Sequence, residues 1–292
     1  MKAPEISFYE WQQRYKTEAA CLRQLAKLRW PDGFQCPHCG HDHGYYTSSR
    51  KHYECAACHR QTSITAGTLF HATKLPLVKW FWAIYWVAAD KGSISTLRLS
   101  KLIGVNWRSA FRMLRKLRTA MGHQDSIYRL SRIIELDDAF IGGKRPGKRG
   151  RGAEGKTSVL IACENFKGKP GFVAMEAVPT VSGKTVADFA RRRIKSAKQV
   201  RSDALSAFNT LSPRVTHIKK VTPPEMAKSW LPWVHIVIAN LKRFLLGTYH
   251  GIGPNYIQGY LNEFVYRFNR RFWEAEIPNR LLRLCVNHGP VC

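Results

Sequence analysis

Apolar positions recur along this chain with two different periods, and the change from one to the other divides it. Over residues 1–30, Phe8, Trp11, Tyr15, Cys21, Leu22, Leu25 and Leu28 fall at roughly helical spacing until Pro31 and Gly33 end the run. The spacing predicts a helical lead-in docked on the segment after it. Residues 68–122 are helical again and rich in aromatics, LPLVKWFWAIYWVAADKG followed by SISTLRLSKLIGVNWRSAFRMLRKLRTAMG. Residues 97–103, a turn at Gly104 and a second helix from Asn106 have the layout of a helix-turn-helix. Leu99, Leu102, Val105, Phe111 and Leu114 form its expected inner face, and Asn106, Arg108, Ser109, Arg112, Arg115 and Lys116 point outward.

From about residue 130 the pattern turns to strands. Ile133, Ile134 and Leu136 read as a buried strand that runs on into Asp137 and Asp138. Two β-rich runs, 159–163 and 172–178, are joined by a Gly-Lys-Pro-Gly turn. Ser182 then caps a helix over 185–194, residues 199–202 form a strand that ends at Asp203, and a short strand covers 215–221 ahead of the helical stretch PWVHIVIANLKRFLLGTYHG. Three antiparallel strands, a helix, a strand ending on an acid, a further strand and a helix make an α/β order compatible with the ribonuclease H-like fold.

Composition narrows the class of partner. The 292 residues are 45% apolar, enough for a globular chain of more than one domain. Against 20 Asp and Glu stand 47 Lys and Arg, a formal charge of +27. A field of that sign points to a polyanion, and nucleic acid is the commonest. No basic amphipathic anchor stands out, the run at residues 80–89 is too short to span a bilayer, and MKAPEISFYEWQQRYK lacks the apolar stretch of a signal peptide. The expectation is a cytoplasmic, nucleoid-associated protein with no membrane partner.

Four of the eight cysteines make one pattern: Cys36-Pro-His-Cys39, fifteen residues, then Cys55-Ala-Ala-Cys58. Two such knuckles can place four thiolates tetrahedrally around a structural zinc, with the residues between them as a hairpin. His38, His41, His43, His52 and His59 are nearby donors, but four cysteines already close the site. Cys21, Cys163, Cys285 and Cys292 have no ligand spacing and read as core or tail residues.

Chemistry is expected around RIIELDDAFIGGKRPGKRGRGAEG, residues 132–155. Two acids on a buried strand are costly without a metal ion or a network of donors. The basic, glycine-rich continuation, with Lys144, Arg145, Lys148, Arg149, Arg151 and Lys156, has the composition of a flexible phosphate-tracking arm. The CxxC…CxxC ribbon, ELDDAFIGGKR with GRGAEGKT, SDAL, and LKRFLLGTYHGI followed by YLNEFVYRFNRR occur in that order. Together they resemble bacterial insertion-sequence transposases that join a zinc ribbon to a DDE-type, ISXO-like catalytic domain.

That resemblance implies an α+β multidomain chain: a helical lead-in over 1–30, a zinc ribbon over 31–64, a helix-turn-helix segment over 65–125, a ribonuclease H-like catalytic domain over 126–275 and a tail over 276–292. It also implies DNA strand cleavage and strand transfer with two magnesium or manganese ions, on element ends and target DNA, by a homodimer or higher assembly. The first family acid falls on Asp137, with Asp138 ranked second because strand alternation sends it to the other face. The second falls on Asp203. Relatives carry a Glu or Asn seven residues before the Lys of the LKR motif; here that position is His235, on one helix face with Lys242 and about 20° from it. Asn240 is the second choice, and Glu225 and Glu263 are the carboxylates that could substitute. Lys242 and Arg243 suit a DNA phosphate beside the metals, and Arg108 and Arg112 suit the helix-turn-helix contact. The missing third carboxylate keeps two other readings open, a DNA-binding regulator without catalysis and a structure-specific nuclease.

Overall fold

The computed structural model describes residues 6–142, 156–211, 215–221, 229–249 and 251–291. They fall into two units, Met1–Ala120 with Trp273–Cys292, and Met121–Phe272.

In the first unit, α1 (Phe8–Arg14) opens on a capping box between Ser7 and Glu10, and α2 (Glu18–Arg29) is capped by Thr17. Helix α3 (Leu77–Ala89) has Pro76 at its N-cap and no side-chain cap of its own. Glu18 of α2 supplies one, accepting from the Leu77 N–H at 2.9 Å and the Val78 N–H at 3.4 Å. Phe81, Ala83, Ile84 and Val87 of α3 are fully buried, which accounts for a helix apolar on every side. Among the described residues no helix is long and apolar enough to cross a membrane.

Residues 276–292, a tail by sequence, carry a helix at Ile277–Asn287 whose Ile277, Leu281, Leu282 and Cys285 are buried and which packs on α3 and α2. Its apolar positions repeat at the i, i+4 spacing of an amphipathic helix, a signal too short to stand out beside the polar end of the chain. Cys21 and Cys163 are likewise buried, and Cys292 lies outside the described residues.

The helix-turn-helix is α4 (Thr96–Ile103), Gly104 in the left-handed region at φ 61°, and α5 (Trp107–Ser126). The Asn106 side chain accepts from the Ser109 N–H at 2.8 Å and starts the second helix. Its inner face differs from the expected one. Ile103, Ala110, Met113, Leu114 and Leu117 are buried with Leu99, whereas Leu102 is 41% exposed and Phe111 stacks on the exposed Trp107. The stripe 110, 113, 114, 117 is one helical face, and residue 111 stands a further 100° round from 110. Arg108, Arg112 and Arg115 are exposed.

The ribbon is a three-stranded antiparallel sheet, β1 (Gly44–Thr47), β2 (His52–Cys55) and β3 (Gln61–Ser63), so the expected hairpin gains a third strand. Phe34 stacks on Tyr53 at 4.8 Å, and Trp30 meets both rings edge-on. A Cβ on Gly44 would lie 2.6 Å from the Phe34 ring, so only glycine lets strand and ring approach. Gly44→Ala is expected to destabilise the zinc-loaded protein by about 1–3 kcal/mol, the usual cost of overpacking. A thermal melt checks this, and an unchanged midpoint would mean that both the ring and the Glu54 carbonyl, 2.8 Å from the added Cβ, give way freely.

The second unit holds a five-stranded sheet in the order β6-β5-β4-β7-β8, from β4 (Leu130–Ile141), β5 (Thr157–Phe166), β6 (Lys169–Val178), β7 (Ile194–Ser202) and β8 (His217–Lys219). β4, β5 and β6 are antiparallel neighbours, and β7 and β8 continue parallel to β4. This is the ribonuclease H-like arrangement. The β5–β6 turn is Lys167-Gly168, both at positive φ (52° and 71°), in place of the Gly-Lys-Pro-Gly turn. Two positive φ values match the twist of the strands they join, and Pro170 is tolerated inside β6 because β6 is an edge. Helix α6 (Gly183–Arg193) runs straight into β7, which begins five residues before the expected strand.

Alternation along β4 assigns the two faces. Ile134 and Leu136 join Leu160, Val186, Phe189, Val200 and Phe208 in the core under α6. Ala139 and Ile141 join Val159, Ile161, Val234, Val237, Leu241 and Leu261 in the core under α7 (Pro232–Thr248) and α8 (Ile257–Asn269). Glu135 and Asp137 belong to this second, odd-numbered face.

Candidate active site

Two parallel strands bring the two acids together. Glu135 of β4 pairs with Arg201 of β7; Asp137 stands two residues further along β4, and Asp203 follows directly on Ser202, the last residue of β7, without bordering the cavity beside Asp137. Helix α7 lies across the same face, and His235 Nε2 comes to 3.2 Å from Asp137 Oδ2. The hydrogen bond to Asp137 holds the imidazole above its ordinary titration range; burial opposes this, and the charges of Asp137, Glu135 and Asp203 add to it. An open cavity of about 410 Å³ is bordered by Asp137, Asp138, Lys156, His235, Ile238 and Lys242.

The helical spacing of His235, Ile238 and Lys242 puts all three on the cavity side of α7. Asn240 does not border the cavity; five residues on from His235 it is turned about 140° round the helix. Asp138, expected on the opposite face, also borders the cavity, and its N–H donates to Asp137 Oδ1 at 2.8 Å. Glu263 is fully buried in α8 and does not border it, and Glu225 lies outside the described residues. Arg243 is exposed on α7. Lys144, Arg145, Lys148, Arg149 and Arg151 also lie outside the described residues.

The peptide that carries Asp203 is held from several sides. Asp203 Oδ1 accepts from the Leu205 N–H at 3.1 Å. The fully buried Ser202 donates its hydroxyl to the Asp203 carbonyl at 2.7 Å and stands 2.8 Å from His217 Nε2, while Trp230 Nε1 donates to the Ser202 carbonyl at 2.9 Å. With the one hydroxyl proton spent on Asp203, the His217 proton belongs on Nε2, facing Ser202. Burial holds His217 below its ordinary range, with Lys219 adding to the effect.

A further acid, which sequence spacing does not single out, sits behind the site. Glu135 is fully buried; one carboxylate oxygen accepts from the Trp233 and Val234 N–H groups at 2.8 and 2.9 Å, and the other from Asn165 Nδ2 at 3.0 Å. Burial raises its pKa above the usual carboxylate value, and these three donors and Arg201 oppose the rise.

In the ribbon, the Sγ atoms of Cys36, Cys39, Cys55 and Cys58 lie within 4.8 Å of one another, with Cys36–Cys58 at 3.7 Å and Cys39–Cys55 at 3.5 Å. Tetrahedral zinc with 2.3 Å bonds places sulfurs about 3.8 Å apart, so the four thiols fit that ion. Each knuckle closes the same way. The Gly40 N–H donates to the Cys36 carbonyl and the His59 N–H to the Cys55 carbonyl, both at 3.0 Å, with positive φ at Gly40 and His59. The five histidines are outside the cluster.

Residues 129–269 match the ISXO2-like transposase domain, and residues 16–61 match the transposase zinc-ribbon domain. Together these matches span well over half of the 292 residues. The chain carries an ISXO2-like transposase domain behind a transposase zinc ribbon. Among curated relatives of this chain is an uncharacterized protein in transposable element ISH50 of Halobacterium salinarum, 25% identical over 182 residues. That match covers 56% of this chain and 60% of the relative's length. Among solved structures, the chain is similar to the Mos1 strand transfer complex, at 12% identity over 73% of this chain and 78% of that one, with a TM-score of 0.32. It is also similar to a simian T-cell lymphotropic virus intasome complex, at 11% identity over 63% and 64%, with a TM-score of 0.31.

Proposed function

We propose that this chain binds the terminal repeats of its own insertion sequence and catalyses DNA strand cleavage and strand transfer at Asp137, Asp203 and His235. One observation carries the reading: Asp137 on β4 with an imidazole from the facing helix 3.2 Å away, and Asp203 directly after the end of the neighbouring parallel strand β7. The carboxylate donors suit hard divalent cations, and His235 adds a softer nitrogen donor that tilts the set from magnesium toward manganese. Two such ions held by Asp137 and Asp203 would activate water or a 3′-hydroxyl and steady the leaving oxygen.

The chain's own groups do the rest. Lys156 and Lys242, on the cavity rim, neutralise the phosphate that enters it, and Arg243 extends the contact along α7. His235 Nε2 is the atom able to hold or pass a proton beside Asp137. Arg108, Arg112 and the basic arm with Lys144, Arg145, Lys148, Arg149 and Arg151 track the DNA backbone, and the charge of +27 draws it in. Joining two element ends to a target calls for a dimer or larger assembly, working in the cytoplasm at the nucleoid.

The test is metal-dependent cleavage of labelled DNA that carries the element's end, comparing the wild-type protein with His235→Ala and Asn240→Ala. The expected result is a loss with His235→Ala of about 100-fold and little change with Asn240→Ala. Equal rates in all three would remove His235 and Asn240 from the third role and leave Glu225 as the carboxylate to test, and an inactive wild type that still binds the end would favour a regulator without catalysis.

A further inference from the structure

Glu135 joins the strand that carries Asp137 to the helix that carries His235. The first turn of a helix has backbone N–H groups with no acceptor inside the helix, and they need one from elsewhere. Helix α7 starts from Leu231, with no side-chain hydrogen bond at its N-cap and Pro232 as its first residue. The next two N–H groups, from Trp233 and Val234, both point to Glu135 Oε2. The residue after them is His235.

We infer that Glu135 is a positioning residue of this site: a cap supplied by the strand that sets where His235 stands against Asp137. Two parallel spans make the case. Glu135 and Asp137 are two apart on one face of β4, and Val234 and His235 are consecutive on α7. Glu135 holds Val234 at 2.9 Å while Asp137 meets His235 at 3.2 Å, so the first contact fixes the helix in rotation and height for the second. Asn165 of β5 grips the remaining oxygen at 3.0 Å and stops the carboxylate from turning away. With all three donors in place and no surface exposed, Glu135 is itself committed to the protein and not to a ligand. Acceptors bearing charge make shorter and stronger bonds to N–H groups than neutral ones do, which favours a carboxylate here over an amide.

The inference rests on the reading of Asp137 and His235 as a reacting pair, and its test has readouts independent of DNA chemistry. Full-length Glu135→Gln, which keeps the shape, and Glu135→Asp, which keeps the charge but shortens the reach, are compared with wild type. In the metal-free active site, hydrogen exchange reads the Trp233 and Val234 amides, and the NMR signal of the His235 imidazole N–H reads the contact with Asp137. Cleavage of element-end DNA and DNA affinity are measured alongside, with a far-ultraviolet melt as the check on folding. Both variants are expected to lose amide protection and the His235 signal and to cleave about 100-fold more slowly, the scale of a misplacement near 1 Å, with DNA affinity unchanged. Lost protection with the His235 signal and the cleavage rate intact would overturn the inference and leave Glu135 a cap and nothing more. Protection kept in both variants would overturn it as well. A wild type without cleavage, together with a His235 signal lost in the variants, would remove the proposed function while the positioning role stands.

Discussion

Asp137→Asn is expected to lower the rate of end cleavage about 1,000-fold, the upper range for removing one preorganised charged group from a reaction centre, while affinity for element-end DNA holds. The substitution is close to isosteric. Its amide oxygen can still accept the Asp138 N–H bond made at 2.8 Å, and the backbone ladder from Asp137 to Ile161 is untouched. What goes is the negative charge that would hold a divalent ion and that, through the bond at 3.2 Å, keeps His235 above its ordinary titration range. Asp203→Ala should match it in rate, because the proposed second acid directly follows β7, the parallel neighbour of the strand that carries Asp137. In the proposed reading DNA affinity belongs to other residues, among them Arg108, Arg112, Lys156, Lys242 and Arg243. Single-turnover cleavage and fluorescence anisotropy on the same duplex read the two quantities. An Asp137→Asn variant that keeps about a tenth of the wild-type rate would remove Asp137 from the reaction, and a parallel loss of affinity would make its role structural.

What can be read from the sequence is whatever is periodic or close in number. The strands β4, β5 and β6 emerge from their apolar patterning, because each faces two cores and a one-residue slip would exchange them. His235 and Lys242 pair by counting turns of one helix, and both border the cavity. The cysteine pairs are recognisable because each knuckle is local. Less legible is anything decided by a distant partner. Gly-Lys-Pro-Gly reads as the stronger turn, yet the edge position of β6 allows Pro170 a place in a strand. Leu102 reads as core, yet the burial of Ile103 takes that face. Glu135 cannot be found by spacing, since the Trp233 N–H that it accepts comes from 98 residues away. Ser202 and His217, 15 residues apart, meet only because β7 and β8 lie side by side.

Removing the ribbon's metal should unfold the ribbon alone. Its buried apolar cluster is Phe34, Cys36 and Cys55, with Trp30, Tyr53 and Cys58 packed around it, so half of its members are the cluster's own ligands. Its strands are four, four and three residues long. So small a core does not offset the entropy of ordering the chain, and a structural zinc, worth about 10–16 kcal/mol in isolated fingers, makes up the difference. The Met121–Phe272 unit has two extensive cores of its own and needs none of this. Chelation, or Cys55→Ser at the fully buried ligand, is therefore expected to erase hydrogen-exchange protection over residues 34–63 and leave β4 to β7 protected. If the ribbon helps to recognise the element's ends, specific affinity for end DNA falls with it, toward the salt-sensitive affinity that a charge of +27 gives for any duplex. Metal analysis of the untreated protein should find one zinc per chain, the number that a single four-cysteine cluster can hold. Ribbon protection that survives in protein stripped of metal would mean that the aromatic stack of Trp30, Phe34 and Tyr53 holds the fold by itself.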